Sequence, residues 1–227
     1  MGKSLNWTRD HDTEQLARQY PLPIQSKTPR PQFGGLNFNH GTWQHRLLPD
    51  SSFPSHIKKS SPENIIWCFQ QDLHLQALAL VVSWGRMWRT AASIYGRNSL
   101  PKIEEALHDC RDSISRTNNI KDAWESLRNG LNWTDVMISK TLHFLTRSMG
   151  YVRNPPVAID HKVIIDNVWS SFKNGLPSGS QVSPWSAGTR SSFDYYNRYM
   201  TAVQVWAEAR GWTTTQVEAT IFAENPG

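Results

Sequence analysis

The sequence contains only two cysteines, Cys68 and Cys110, among its 227 residues. Neither has the spacing to other ligands that is typical of a metal site, and a chain of this length forms a sufficient core without disulfides. The apolar run at 78–84 is too short to cross a bilayer, and the polar N-terminus has no apolar stretch of the kind found in signal peptides. These absences predict a reduced, cytoplasmic protein with no membrane contact.

The sequence also lacks the strict alternation of polar and apolar residues that is typical of β-strands, and no period of 20–50 residues repeats. Apolar residues at helical spacing begin after Ser61, where Ser-Pro-Glu supplies an N-cap, a proline at the first helical position and an acidic first turn. The predicted fold class is therefore all-α. The predicted helices lie near 62–69, 73–84, 86–96, 100–115, 120–129, 139–149, 161–173, 191–210 and 214–224.

Glycines and one capping pattern predict how these helices end and begin. The glycines that fall at expected C-caps are Gly130, Gly150, Gly175 and Gly211. The sequence TTTQ at 213–216 has the pattern of a capping box, which predicts a separate last helix.

Residues 1–60 are rich in proline and have few periodic apolar runs, apart from a short helix predicted near 13–20. This composition predicts an extended arm at 1–60 that wraps on a helical domain at 61–227. The His-containing stretches DHD at 10–12 and HGTWQH at 40–45 lack the ligand spacing of a known metal site. We therefore expect loop residues there, with no metal ion and no cofactor.

The formal net charge of +5 and the pI near 9.3 favour a polyanionic partner. Several of the 11 tryptophans stand next to basic residues, as in WGR at 84–86, and this interleaving suits base stacking combined with phosphate contact. Any single tryptophan is equally typical of a hydrophobic core.

Lys140 and Asp160 each stand at the start of a predicted apolar helix, and two prolines exclude a helix just before Asp160. Taken alone, such an aspartate is an ordinary N-cap. Taken together, the two residues form a candidate site. An apolar pocket at the positive end of a helix lowers the pKa of a lysine and makes it nucleophilic, while a carboxylate takes up a proton or stabilises a cationic sugar.

Three stretches occur in the same order as in a known family. In chain order they are WGR at 84–86, MISKTLHFL at 137–145 followed by PVAIDHKV at 156–163, and EATIF at 218–222. Over roughly residues 72–224 the chain resembles the helix-hairpin-helix DNA glycosylases, and specifically their 8-oxoguanine branch. The hairpin at 131–138 differs from the family because only ordinary side chains form it, without the usual phosphate-binding glycines.

The resemblance implies a DNA N-glycosylase that lacks the N-terminal β-domain of the eukaryotic enzymes, acts as a monomer and flips a modified base out of double-stranded DNA. Lys140 would attack the anomeric carbon, and Asp160 would support the departing base. The other implied site residues are Phe144, Glu218 and Phe222 around the base, Trp84 and Arg86 in the gap left by the flipped base, and Ser139 and Lys162 on the DNA.

The modified base and the reaction itself remain open between alternatives. Compact bacterial proteins that resemble the 8-oxoguanine enzymes include one that removes α-glucosylated hydroxymethylcytosine from phage DNA as a defence against phages. Phe144, Glu218 and the missing β-domain fit that role better than repair of 8-oxoguanine. Phe144 and Phe222 are also typical of helix core faces. A DNA-binding module without catalysis would show the same charge and tryptophan content, and a hydrolase built on Asp160 and His161 has no recognisable nucleophile motif.

Overall fold

The computed structural model describes residues 2–22, 24–38, 53–87, 98–159 and 193–224. Within these ranges the chain forms α-helices and two isolated β-bridges, with no strand, so the all-α prediction is confirmed. The helices are α1 (His11–Gln19), α2 (Pro62–Gln70), α3 (His74–Trp84), α4 (Leu100–Thr117), α5 (Lys121–Leu131), α6 (Asp135–Ser148), α7 (Phe193–Arg210) and α8 (Thr214–Glu224).

The caps predicted at the start of two helices are present. The Ser61 hydroxyl accepts a hydrogen bond from the amide of Asn64 at the start of α2. At α8 the capping box closes in both directions, because the Thr213 amide donates to the Gln216 side chain and the Gln216 amide donates to the Thr213 hydroxyl. Most predicted helix bounds agree with the structure within two residues because such local signals fix them.

The predicted C-cap glycines have different outcomes. Gly150 and Gly211 follow α6 and α7 with φ of 90° and 66°, a conformation that favours glycine, so these two predictions are confirmed. Gly130 lies inside α5, and the prediction there is wrong. The left-handed position that ends α5 is Asn132, with φ 53°, since asparagine tolerates this conformation better than other side chains. The predicted helix at 161–173, Gly175 and residues 88–96 of the helix predicted at 86–96 lie outside the described residues.

Helix α6 is the centre of the fold. It packs against α2, α3, α4 and α5, and 11 of its 14 residues are buried. Residues 132–134 join α5 to α6, so these two helices and their turn form a helix-hairpin-helix unit. Helix α7 packs against α1, α5 and α8 on the other side of the core. Any side chain on α6 is therefore held by neighbours from several parts of the chain.

The N-terminal residues lie on this helical body. The Asp10 amide donates to the Thr201 hydroxyl of α7, and the Trp206 indole donates to the carbonyl of Tyr20. No helix of the described ranges is long and apolar enough to span a membrane. Cys68 and Cys110 are both buried free thiols, and burial raises the pKa of each to about 12.

The left-handed backbone at Asn132 leads to a stability prediction. Asn132→Ala should lower the free energy of unfolding by about 1 kcal/mol, because alanine is strained in this conformation, whereas Asn132→Gly should be tolerated. The same substitution at the exposed, helical Asn129 should leave stability unchanged or slightly higher. Urea titrations of the three variants measure this, and equal losses for Ala and Gly at position 132 would show that the amide group matters instead of the backbone.

Candidate active site

Lys140 is the sixth residue of α6 and lies within the helix. The helix begins at Asp135, and the hydroxyl of Thr134 caps it by accepting from the amide of Met137. The predicted start near residue 139 is therefore wrong, and Lys140 does not open the helix. Thr134 followed by Asp135 is itself an N-cap with an acidic first residue, and this signal could have placed the start correctly. Lys140 is only 4% exposed.

The side chain of Lys140 lies against the turn that follows α3. A Cβ atom placed on Gly85 would stand 3.0 Å from Lys140 Cδ and 3.2 Å from Lys140 Nζ, and 2.9 Å from Met87 Cε. A side chain at position 85 would therefore crowd the lysine, which would have to shift. Gly85 is half-buried, so the amine lies next to a residue that reaches the surface. The fold thus brings together Lys140 and the 84–86 stretch, two parts of the predicted site.

The residues on either side of Gly85 have different surroundings. Trp84 is 8% exposed, its ring meets the Phe144 ring edge-on at 5.0 Å, and its indole donates to the carbonyl of Phe33. Trp84 is therefore a core residue in this structure and not a side chain free to enter DNA. Arg86 is exposed, with φ 54° and its guanidinium 5.6 Å from the Phe33 ring centre. Only Arg86 of this pair faces solvent.

Phe144 is completely buried, with the rings of Trp84 and His143 against it. The structure thus favours the core alternative that the sequence left open for this residue. On α8, Glu218 is 8% exposed and Phe222 is 41% exposed. These two residues are four apart and share one face of the helix, so a ligand over Phe222 would lie near the Glu218 carboxylate.

Ser139 is also completely buried, and the expected contact with DNA does not fit this position. Its hydroxyl donates to the carbonyl of Val136 at 3.1 Å and accepts from the amide of Ile159 at 3.0 Å. The second bond joins the residue before Lys140 to the residue before Asp160. Asp160 and Lys162 themselves lie outside the described residues.

The segment 155–159, which leads to Asp160, is buried along its whole length. Buried backbone groups need hydrogen-bond partners, and side chains from three helices supply them here. The Thr214 hydroxyl donates to the carbonyl of Pro155, and His143 Nδ1 donates to that of Pro156. The Tyr196 hydroxyl donates to the carbonyl of Val157, and the sulfur of Met200 accepts from the Val157 amide. With Ser139, these contacts fix the direction in which the chain enters residue 160.

His143 is the central polar side chain of this region, and sequence analysis did not select it. Its Nδ1 lies 2.5 Å from the carbonyl of Pro156, so Nδ1 carries the proton. Its Nε2 lies 2.9 Å from the Gln32 amide nitrogen and 3.3 Å from Arg147 Nη1. Burial lowers the pKa of His143 to about 3; the charge of Arg147 adds to this effect and the hydrogen bond to Pro156 opposes it. The imidazole is therefore neutral at physiological pH.

Arg147 links His143 to the carboxylates around it. Burial lowers the pKa of Arg147, while Glu63 on α2 and Glu218 on α8 act in the opposite direction. Glu218 therefore lies within electrostatic reach of α6, on the side where Gln32 meets His143. The described residues contain no group of three His, Cys, Asp or Glu side chains that could hold a metal ion.

The buried imidazole predicts a pH-dependent stability. The pKa of His143 is about 3 in the folded chain against an ordinary 6.5, so the unfolded chain binds the proton first. The stabilisation is complete above pH 6.5 and is lost as the pH falls towards 3, by up to about 1.4 kcal/mol per pH unit. Urea titrations across this range measure the slope.

His143→Asn isolates this contribution because it keeps a side-chain N–H but does not titrate. Its free energy of unfolding should fall less steeply with decreasing pH than that of the unsubstituted protein. His108→Asn removes an exposed histidine and should keep the original slope. Parallel slopes for the protein and His143→Asn would contradict a neutral, buried His143.

Comparison with known proteins identifies a family for this chain. A model of the family described as "Putative 8-oxoguanine DNA glycosylase OGG-like protein" matches residues 63–222, which include the helix-hairpin-helix unit and Lys140. No curated protein and no solved structure gives a significant match to the chain. The family match covers more than half of the chain and confirms the resemblance seen in the sequence. The chain therefore belongs to the family of 8-oxoguanine DNA glycosylase OGG-like proteins.

Proposed function

We propose that this protein is a DNA N-glycosylase that removes a modified base from double-stranded DNA, with Lys140 as nucleophile and Asp160 as its carboxylate partner. The observation that carries the proposal is the hydrogen bond from the Ile159 amide to the Ser139 hydroxyl. This bond links the residue before Asp160 to the residue before Lys140. Membership of a DNA glycosylase family supports the reaction class. Lys140 lies on a buried helix, and the segment 155–159 that precedes Asp160 is buried and hydrogen-bonded, as positioning for catalysis requires.

The proposed reaction begins when the neutral amine of Lys140 attacks the anomeric carbon of the flipped nucleotide. The bond from that carbon to the base breaks, and its electron pair leaves with the base, which takes up a proton. Asp160 accepts the proton that the lysine nitrogen loses and passes it to the departing base. The aminosugar opens to a Schiff base, and water then releases Lys140 and an abasic site. Loss of a proton next to the Schiff base would instead eliminate the 3′ phosphate and nick the strand.

In this proposal the sugar approaches the buried amine at the half-buried Gly85. Lys140 Nζ lies 3.2 Å from the place where a Cβ of residue 85 would stand, so a larger residue there would crowd the nucleophile. Arg86 next to it is exposed and positively charged, and it suits a phosphate or the gap in the duplex. Phe222 offers an exposed ring on which a base can stack.

Within this proposal the preferred substrate is α-glucosylated hydroxymethylcytosine, as in hypermodified phage DNA, and the role is defence against phages. The support is chemical: an ionised Glu218 only accepts hydrogen bonds and suits the exocyclic amine of cytosine. Phe144 stands where the resemblance implies a small thiol in 8-oxoguanine enzymes. Repair of 8-oxoguanine is the second candidate, because the family description names that base and guanine also offers hydrogen-bond donors.

A base-excision assay tests the catalytic roles. Lys140→Gln and Asp160→Asn should each reduce excision by at least 100-fold, because they remove the nucleophile and the proton acceptor, while circular dichroism stays unchanged. Borohydride should trap a covalent protein–DNA adduct with the unsubstituted chain and none with Lys140→Gln. Lys102→Gln, which removes an exposed lysine of α4, is the matched control and should keep both excision and trapping.

Two duplexes decide the substrate, one carrying 8-oxoguanine and one carrying α-glucosylated hydroxymethylcytosine. Release of the glucosylated base alone supports the preferred substrate, and release of 8-oxoguanine alone supports repair. Duplex binding with neither excision nor a trapped adduct would identify a DNA-binding module and overturn the proposal. Full activity of Lys140→Gln would show that another residue is the nucleophile.

A further inference from the structure

The N-terminal residues 30–33 cross three elements of the candidate site. The Arg30 amide donates to the Thr220 hydroxyl of α8 at 2.9 Å, and the carbonyl of Phe33 accepts from the Trp84 indole at the end of α3 at 3.1 Å. Between these two anchors, Gln32 meets His143 and Arg147 of α6. The family match begins at residue 63, so this segment lies outside the part of the chain that the match covers.

The amide of Gln32 is one link in a directed series of hydrogen bonds. Arg147 can only donate, so its Nη1 bonds to the Gln32 oxygen at 2.7 Å. The Gln32 nitrogen then donates to His143 Nε2 at 2.9 Å, and His143 Nδ1 donates to the carbonyl of Pro156 at 2.5 Å. An amide alone offers an acceptor to one neighbour and a donor to the other. A carboxylate at residue 32 would leave the contact with a neutral His143 unmade, and an apolar group would leave both contacts unmade.

Several charged groups surround the imidazole. Arg147 lies on its own helix, and Glu63 on α2 and Glu218 on α8 act on Arg147. Burial and the charge of Arg147 keep His143 neutral, and the donor from Gln32 on Nε2 places its single proton on Nδ1. That proton holds the segment 155–159, the run of chain that enters Asp160.

We propose that Gln32 is a positioning residue for base excision, which acts by donating to His143 Nε2, so that the imidazole keeps its Nδ1–H on Pro156 and fixes the chain that leads to Asp160. The inference rests on the proposed function, because it assigns Gln32 to the reaction of Lys140 and Asp160. It makes the N-terminal arm a part of the active site. Gln32 itself touches neither the DNA sugar nor the base in this scheme.

Single-turnover excision by Gln32→Leu tests the role. The substitution keeps the size of the side chain and removes both hydrogen bonds, so the rate should fall about 10- to 100-fold, as expected when a reacting group is displaced by around an ångström. The dissociation constant for the duplex should change less than threefold, since Gln32 makes no DNA contact. Gln25→Leu, at an exposed glutamine of the same arm, is the matched control and should excise normally.

Gln32→Glu separates positioning from a purely structural contribution. A carboxylate beside Nε2 favours a proton there, so the pKa of His143 should rise into the assay range. The imidazolium then donates to both Glu and Pro156 and keeps the geometry. Excision by this variant should persist at low pH and fall at least tenfold as the pH rises through the new pKa. The unsubstituted chain should show no such step, and ¹⁵N NMR of the imidazole reports the protonation directly.

The outcomes distinguish this inference from the proposed function. If the unsubstituted chain excises a base while Gln32→Leu does so at the same rate, or Gln32→Glu gains no pH step, Gln32 has no positioning role and the proposed function stands. If the unsubstituted chain excises neither modified base, both this inference and the proposed function are wrong, even where the NMR signals of His143 respond as described. If Gln32→Leu does not fold, which a lost unfolding transition would show, the pH dependence of excision by Gln32→Glu decides whether Gln32 has a positioning role.

Discussion

Burial of the five residues 155–159 is the constraint on which the rest of the site depends. Their polar backbone groups cannot reach water, and an unpaired buried group costs about 1–3 kcal/mol. Side chains of α6, α7 and α8 supply the partners. The need to satisfy this short stretch therefore fixes how three helices stand relative to one another, and the same contacts place the chain that leads into Asp160.

Helix α6 meets a second constraint at the same time. It carries the buried Lys140 on the face where Gly85 leaves room for it, and His143 and Ser139 on the faces that hold residues 155–159. Polar residues at consecutive turns of a buried helix are costly unless each has a defined partner. The described partners of Ser139 and His143 show how the sequence meets this cost, and they leave little freedom for α6 to rotate or shift.

The sequence predicted helices well wherever a local signal fixed an end, as at Ser61 and Thr213. It misplaced the start of α6, because the apolar run after Lys140 predicts a later start than the cap at Thr134 sets. Burial of Trp84 and Ser139 depends on packing between distant segments, which periodicity does not report. The hydrogen bond between Gln32 and His143 joins residues 111 apart, and each looks like an ordinary polar residue on its own.

The position of Gln32 near the start of the chain also has a consequence for synthesis. Residue 32 leaves the ribosome early, but its partners on α6 are more than a hundred residues further along. Contacts between residues so far apart in sequence form late, because closing the large loop between them costs entropy before the contacts stabilise the fold. Residues 30–33 therefore cannot dock until the helices of the site have been synthesised and packed. Assembly of this region is ordered so that residues 30–33 are synthesised before the helices of the site but dock after them.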